Sequence, residues 1–244
     1  MSKGINTIKK SLLVFLLLTT IFACKKDKET DLSFDIVGKY GQEAFQLNET
    51  YATDLGQYLR FIELKFYISN INLIQEDDEV VQIEEVILYN FANPQTISLN
   101  IPEGTYKSIS FDIGLNEELN ASDPNNLEVE HPLSYAQNTH WDWTSQYRFI
   151  MLDGRIDTVQ TENFSKTFSY HTGFNDLFRQ RTITQNMDAV GNGDLNLELV
   201  LQVDKIFDGA NSINVFENNT SHSLTETATQ ITDNFVDALS LKIN

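Results

Sequence analysis

Histidines are the side chains of this chain best suited to site chemistry, and there are four of them: His131, His140, His171 and His222. Imidazole is a good ligand for copper or zinc. His131, His171 and His222 each lie in a predicted loop or at a predicted end of a strand or helix, where functional sites are usually carried. If these three converge in the fold, they form a soft-metal site. Each of them, taken singly, also suits an ordinary surface or packing position.

Both tryptophans of the chain stand two residues apart, in the segment Trp141-Asp142-Trp143. In an extended backbone alternate side chains point the same way, so the two indoles would share one face. Such a pair suits either packing beneath a loop or stacking against a sugar ring, and the sequence alone leaves both open. His140 directly precedes the pair and is the weakest of the four histidines as a ligand candidate.

The motifs of common enzymes are absent from the sequence. It has no G-x-S-x-G, no H-E-x-x-H, no glycine-rich phosphate loop and no C-x-x-C. Neighbouring carboxylates such as Asp77-Asp78 and Glu84-Glu85 would face opposite ways in strands, which makes them solvated surface charge and not an acid/base pair. We therefore expect a binding protein and not an enzyme.

The charge balance narrows the class of partner. Lys and Arg number 17 against 35 Asp and Glu, which gives a formal net charge of −18 at pH 7. Like charges repel, so this surface is a poor match for nucleic acid or for anionic lipid headgroups. A metal ion or a cationic partner is compatible with it. The hydrophobic content of 41% is sufficient for a folded core.

The N-terminal segment has the pattern of an export signal. Three lysines precede an apolar run over 12–18, which is shorter than the ~20 residues that span a bilayer. This pattern predicts a cleaved signal peptide over residues 1–23. A charged tether without apolar residues follows over 24–31.

Cys24 ends the segment Ile21-Phe22-Ala23-Cys24, which resembles the bacterial lipoprotein box, where the cysteine carries a lipid and becomes the mature N-terminus. It is the only cysteine of the chain, so we expect no disulfide. Lys25, and not an aspartate, follows it, which by lipoprotein sorting rules predicts an outer-membrane address. Whether the protein faces the periplasm or the outside is left open.

The remaining chain, 32–244, has the pattern of one all-β domain. Apolar and polar residues alternate over 107–115 and 195–203, as in half-buried antiparallel strands. In 60–74 the alternation slips by one residue, which predicts a bulge near Ser69-Asn70. Shorter strands are predicted at 32–38, 80–91, 147–152 and 164–170, with turns at Pro102-Glu103-Gly104 and Asp153-Gly154. These elements predict an antiparallel β-sandwich with long loops.

The C-terminus switches to helical spacing. Apolar residues recur at Leu224, Ala228, Ile231, Phe235 and Ala238, which predicts one α-helix over 223–239. Ser223 and Glu226 have the spacing of a capping box, with Ser223 as N-cap. His222 would then stand directly before the helix. The long irregular stretch 116–146 carries Pro124, Pro132 and both tryptophans, and a loop of this length is usually functional or disordered.

The chain resembles a known family, the MbnP-like copper-binding proteins, in segments that follow the family's order over nearly all of the mature sequence. The resembling segments are FIELKFYISNINLI (61–74), VILYNF (86–91), IPEGTYKSISFDIGLN (101–116), NASDPN (120–125), EHPLS (130–134), HWDWTSQYRFIMLDGR (140–155), FSYHTG (168–173) and SHSLTETATQITDNFVDALS (221–240).

The resemblance implies a specific chemistry. Members of this family bind one copper ion as Cu(I), and the first tryptophan of a W-x-W motif is oxidised to kynurenine by a dihaem partner of the cytochrome c peroxidase/MauG type. The matching residue here is Trp141, and the matching histidines are His131, His171 and His222. We therefore expect a copper-handling lipoprotein of the outer membrane.

Two other functions are compatible with the same residues. A surface lipoprotein could bind glycans through Trp141 and Trp143, and this interpretation requires no metal. An adaptor for the dihaem protein would share the docking but would also need no metal. Copper analysis of protein made together with its partner separates these alternatives from copper binding.

Overall fold

The computed structural model describes residues 28–142, 144–157, 163–191 and 193–244. The predicted signal peptide, Cys24 and Trp143 lie outside these residues. None of the helices in the described part of the chain is long and apolar enough to cross a membrane. The described strands are β1 (Glu29–Tyr40), β2 (Glu43–Ala44), β3 (Thr50–Ala52), β4 (Tyr58–Gln75), β5 (Val80–Asn90), β6 (Ile97–Pro102), β7 (Gly104–Ile113), β8 (His140–Asp142), β9 (Gln146–Asp157), β10 (Lys166–Gly173), β11 (Arg179–Ala189), β12 (Leu195–Gln202), β13 (Thr220–Ser221) and β14 (Leu239–Ile243). The α-helices of the same residues are α1 (Glu117–Asn120) and α2 (Glu226–Asp237).

Two sheets pack face to face, and this confirms the predicted β-sandwich with a C-terminal helix. The smaller sheet has the order β14-β12-β1-β2, with β6 also on β1. The larger has the order β11-β7-β4-β9-β10-β13, with β3 and β5 on β4 and β8 on β9. The core between the sheets is rich in fully buried aromatic rings, which come from both sheets, from the segment after β12 and from α2: Phe34, Phe61, Phe66, Phe111, Phe168, Phe207 and Phe235.

Most strand pairs are antiparallel, as expected, but β1 and β12 run parallel from Leu32↔Leu195 to Lys39↔Gln202. A parallel pair needs a long crossover, and nearly the whole domain lies between these two strands. The pairing of β10 with β13 is also parallel, over two residue pairs. The alternation of apolar and polar residues predicts which face of a strand is buried, but it does not predict the partner or direction of that strand, so the parallel pairing was not foreseen.

The bulge predicted in β4 is confirmed. The register between β4 and β7 shifts between Ser69 and Asn72. Asn70 has a φ of 52°, in the left-handed region, as expected for an unpaired residue at a bulge. The slip moves the following residues, Ile71 and Leu73, onto the buried face, where both are fully buried.

The predicted turn at Asp153-Gly154 is wrong, because β9 continues through both residues. Glycine is required there for close approach and not for a turn. A Cβ on Gly154 would lie 2.3 Å from Cζ of Phe168 and 2.5 Å from the carbonyl oxygen of Arg60. Asp153 therefore stands inside the sheet and not in a loop.

Both ends of the predicted domain need correction. β1 begins at Glu29, inside the segment expected to be a tether, because pairing with β6 extends it toward the N-terminus. At the other end α2 begins at Glu226, and the N-cap is Thr225, not Ser223, since Thr225 Oγ1 accepts the N–H of Ala228 at 3.1 Å. The helix ends before Leu239, where the chain becomes β14.

The described residues of the stretch 116–146 form a cover over the outer face of the larger sheet. Leu133 of this stretch joins Leu115 and residues of β4, β5 and β9 in a second apolar cluster, separate from the main core: Tyr67, Val86, Leu88, Leu115, Leu133, Tyr147, Phe149 and Met151. Two phenols tie the cover down. Tyr67 donates to the carbonyl oxygen of Pro132 at 2.8 Å and Tyr147 to that of Leu133 at 2.7 Å. This cover ends in β8, which carries Trp141 to the sheet.

Candidate metal centre

Two of the predicted histidines meet on the outer face of the larger sheet. In β10, Phe168 and Tyr170 point into the core, so Ser169 and His171 point outward. His222 directly follows β13, which pairs with β10 at Ser169 and Tyr170. The imidazole rings of His171 and His222 are stacked, with centroids 4.6 Å apart and planes inclined by 13°.

Asp153 and Ser169 hold this histidine pair in place. His171 Nε2 lies 2.8 Å from Oδ2 of Asp153, and His222 Nε2 lies 2.7 Å from Oγ of Ser169. Asp153 and Ser169 are direct neighbours across β9 and β10. The carboxylate of Asp153 thus contacts the imidazole of His171, and the hydroxyl of its cross-strand neighbour Ser169 contacts the imidazole of His222.

The electrostatics favour a charged Asp153 carboxylate and a neutral His222 imidazole. Burial by itself would raise the pKa of Asp153, but hydrogen bonds from His171 and Ser169 outweigh it, and the pKa is lowered. The pKa of His222 is also lowered, first by burial and then by the nearby His171. A neutral imidazole is the form that binds a metal ion.

Trp141 lies beside the histidine pair. Its ring centroid is 6.3 Å from that of His171 and 6.0 Å from that of Phe174. The guanidinium carbon of Arg148 lies over the indole ring, 5.9 Å from its centroid. Gly173 makes room for the indole, since a Cβ there would lie 3.3 Å from Cζ3 of Trp141 and 2.7 Å from the carbonyl oxygen of Tyr147.

The backbone beside Trp141 is strained. Phe174 adopts φ 70° and ψ 146°, which a residue other than glycine rarely adopts. Gln146, which pairs with Asp142 at the end of the β8–β9 hairpin, has a φ of 56°. Such strain costs about 1–3 kcal/mol per residue and persists only where the surrounding structure enforces it.

His131 is placed elsewhere. It lines a cavity of about 280 Å³ together with Pro132 and residues of β1, β5 and β6. β9 and β4 separate β5 from β10, and three strand spacings amount to about 14 Å. The Nδ1 atom of His131 also accepts the N–H of Leu133 at 3.1 Å. The structure therefore does not bring His131 to the histidine pair.

His140 packs against Tyr147 of β9. Its ring meets the ring of Tyr147 edge-on, with centroids 4.9 Å apart, and burial lowers its pKa. The position of Trp143 lies outside the described residues.

The sequence indicated the two histidines and the tryptophan of this centre but not the residues that hold them. Asp153 was missed because Asp153-Gly154 was interpreted as a turn. Arg148 was missed because it follows the irregular stretch 116–146. The two-residue spacing of Ser169 and His171 did carry a signal, since it places both on one face of a strand. Among the described residues, no three His, Cys, Asp or Glu side chains are grouped so as to hold a metal ion by themselves.

Comparisons with known proteins agree with this architecture. A family model described as MbnP matches residues 29–227. The solved structure of MbnP from Methylosinus trichosporium is similar in fold, with a TM-score of 0.57 and 13% sequence identity, and the match covers 88% of this chain and 99% of that chain. No curated protein matches.

Proposed function

The chain belongs to the MbnP family, and from that premise we propose that it binds one Cu(I) ion between His171, His222 and a kynurenine formed from Trp141. Membership of the family associates it with copper handling. The proposal goes further by naming the ligands, and it leaves His131 outside the centre. It also makes the protein a binding protein and not an enzyme.

The observation that carries this proposal is the position of Trp141 beside two stacked histidines. An intact indole can only donate a hydrogen bond and offers no lone pair in the ring plane. Opening the ring to kynurenine yields an aniline nitrogen and a ketone oxygen, both of which are potential donors. The modification would therefore add a ligand to a pair of imidazoles that already suits copper.

The residues around the pair fit a metal site. A metal-binding histidine usually donates its other ring N–H to a carboxylate or a similar acceptor, which fixes the ring and its tautomer. Asp153 stands in that position for His171 and Ser169 in that position for His222. When bound, copper supplies an electron-rich soft ion with affinity for imidazole nitrogen, and this chain supplies its ligands and their orientation.

The partner and the location belong to the same proposal. We propose that a dihaem protein of the cytochrome c peroxidase/MauG type, with a peroxide as oxidant, cleaves the indole C2–C3 bond of Trp141 and that C2 leaves as formate. We also propose that a lipid on Cys24 anchors the protein to the outer membrane. The sequence pattern of residues 1–24 supports the anchor. A Cys24→Ser variant that still fractionates with membranes would contradict it.

Glycan binding finds less support in the geometry. A stacking platform needs an open ring face, whereas Trp141 is only partly exposed and has His171, Phe174 and Arg148 around it. The second ring of that platform, Trp143, lies outside the described residues. A sugar ring that stacked on Trp141 would have to displace these neighbouring side chains, whereas the proposed copper site includes one of them, His171.

Copper analysis of protein produced with and without the dihaem partner tests the proposal. We expect one copper ion per chain with the partner and a large loss without it. Trp141→Phe produced with the partner should resemble wild-type protein produced without it, because Phe keeps most of the apolar bulk but yields no kynurenine. Equal copper content in all three preparations would contradict the role of Trp141.

A further inference from the structure

The guanidinium of Arg148 is fixed over the face of the Trp141 ring, with its carbon 5.9 Å from the ring centroid. This is within the ~6 Å over which a cation is attracted to the face of an aromatic ring. Two backbone carbonyls of the segment before β8 hold the guanidinium there. Nε donates to the carbonyl oxygen of Thr139 at 3.2 Å, and Nη2 donates to that of Asn138. Arg148 is partly buried, so its charge is screened less than that of a fully exposed arginine.

The carboxylates near this guanidinium neutralise it only in part, because they have other partners. The charges of Glu63 and Asp153 act on Arg148. Asp153 contacts His171 Nε2 at 2.8 Å, and Glu63 forms an ion pair with Lys65. A positive charge therefore remains over the indole.

The carboxylate next to Trp141 in the chain is stabilised by other groups. Asp142 is exposed to water, and its Oδ1 accepts the N–H groups of Thr144 and Ser145 at 2.8 and 2.7 Å. Interactions of an exposed charge are weakened by water and salt. Asp142 therefore does not cancel the effect of the guanidinium on the ring.

A fixed positive charge opposes the loss of an electron from the ring beside it. In the proposed reaction, conversion of the indole to kynurenine and formic acid consumes two molecules of hydrogen peroxide and releases one of water. The peroxide-oxidised haem pair of the partner takes the first electron from Trp141. The ring is then a radical cation, and the haem pair is reduced by that electron. The attraction between the guanidinium and the neutral ring thereby becomes a repulsion between two positive charges.

We propose that Arg148 is a specificity-determining residue for the oxidation of Trp141: its charge makes the ring hard to oxidise, so that ring opening starts only with an oxidant as strong as the peroxide-oxidised dihaem partner. The identity of the oxidant rests on the proposed function. The effect of Arg148 on the ring does not, since it follows from the position of the charge. At an effective dielectric constant of about 20, a unit charge at 5.9 Å disfavours electron loss by about a hundredfold.

The first test is oxidation of the metal-free protein by flash-generated tris(bipyridine)ruthenium(III), without the partner. A Trp143→Phe background leaves Trp141 as the single tryptophan, so the absorbance of the indole radical reports on that ring. Arg148→Met keeps an unbranched stem without the charge. Its oxidation should be about tenfold faster, since roughly half of the effect on the equilibrium, on a logarithmic scale, is expected in the rate. Arg148→Lys keeps the charge and should stay close to the background rate.

Arg155→Met is the matched control. Arg155 also lies on β9 and is exposed, and it stands seven residues from Arg148, about 23 Å along an extended strand. The control changes the net charge by the same amount, so it measures how net charge alone affects the encounter with a cationic oxidant. We expect its rate to remain within about twofold of the background. The fluorescence emission of Trp141 shows whether any variant exposes the ring to water.

The second test uses the dihaem partner and peroxide with the otherwise wild-type sequence. Mass spectrometry of the peptide that contains residue 141 measures the single-turnover rate of kynurenine formation. Arg148→Met should raise this rate at saturating partner and leave the partner concentration for half-maximal rate unchanged, because the charge acts on electron loss and not on docking. If the background variant of the first test does not fold, this second test decides.

The outcomes separate this inference from the proposed function. A rate in Arg148→Met that is equal to or below that of its parent protein would overturn the inference, as would an equal acceleration in Arg155→Met. Equal losses of rate in Arg148→Met and Arg148→Lys would assign Arg148 a structural role and also overturn it. A wild-type protein that forms no kynurenine with its partner would overturn the proposed oxidation of Trp141. The flash experiment would still measure the effect of Arg148 on the ring.

Discussion

The two places where this protein carries candidate metal ligands differ in what their imidazoles are bonded to. At the centre formed by His171 and His222, the contacts to Asp153 and Ser169 occupy Nε2 of each ring. At the cavity of His131, Nδ1 instead accepts a backbone N–H from Leu133. The contacts of the histidine pair join residues on or beside neighbouring strands, whereas the hydrogen bond of His131 lies within one loop. A histidine is therefore a better metal-ligand candidate when side chains of neighbouring strands orient its ring than when it only hydrogen-bonds to its own loop.

The largest expected effect comes from removing a histidine of the pair. His171→Ala or His222→Ala should each reduce copper affinity by more than the ~10–100-fold that outer partners cost, since a direct ligand is lost. His131→Ala, the matched control at the other place, should bind copper as the wild type does. Competition titrations with a Cu(I) chelator measure all three. If His131→Ala lost as much copper affinity as His171→Ala, His131 would also be a ligand and the distinction between the two regions would be wrong.

A smaller effect is expected from filling the space beneath Trp141. Gly173→Ala introduces a Cβ only 2.7 Å from a backbone oxygen and 3.3 Å from the indole, so the strands must shift. We expect a loss of about 1–3 kcal/mol in the free energy of unfolding, measured by urea denaturation. Gly104→Ala is the matched control, because its Cβ would meet nothing nearer than 3.5 Å. Equal stability of both variants would show that Trp141 is not packed as described.

The smallest expected effect is a dependence of stability on pH. Burial and the nearby His171 hold the folded-state pKa of His222 below its ordinary value of about 6.5, so the unfolded chain binds the proton more readily. The metal-free protein should therefore be most stable above that value and lose stability as the pH falls through it toward the folded-state pKa. His222→Gln should show less of this loss between neutral and mildly acidic pH. An unchanged pH profile in that variant would indicate that the environment of His222 is not as described.

The sequence predicted three of the strands from a clear alternation of apolar and polar residues and missed β11, whose alternation is weak. β4, β7 and β12 bury alternate apolar residues and were recognised from that alternation. β11 has the sequence Arg-Gln-Arg-Thr-Ile-Thr-Gln-Asn-Met-Asp-Ala. Nine of its eleven residues are partly or fully exposed, so its alternation of apolar and polar residues is weak. It is held as an edge strand by its pairing with β7. Pairing between distant segments supplies information that local alternation lacks.

The sequence predicted three residues of the candidate site correctly as neighbours, but it also included a residue that lies elsewhere and missed Asp153. The resemblance pointed to Trp141, His171 and His222, and the structure brings these three together. It also pointed to His131, which the cover over the outer face carries to the cavity beside β5. Asp153 was missed because Asp-Gly is a common turn sequence, and only the contact of Gly154 with Phe168 shows why the glycine is there.

The most direct test of the central claim is the chemical state of Trp141 in protein purified with bound copper from its native host. Mass spectrometry of the peptide that spans residues 132–148 covers both Trp141 and Trp143. We expect the mass change of ring opening to kynurenine on Trp141 alone, with Trp143 intact, and we expect it to vanish when the dihaem partner is absent. An unmodified Trp141 in copper-loaded protein would contradict the account, even if His171 and His222 were confirmed as ligands.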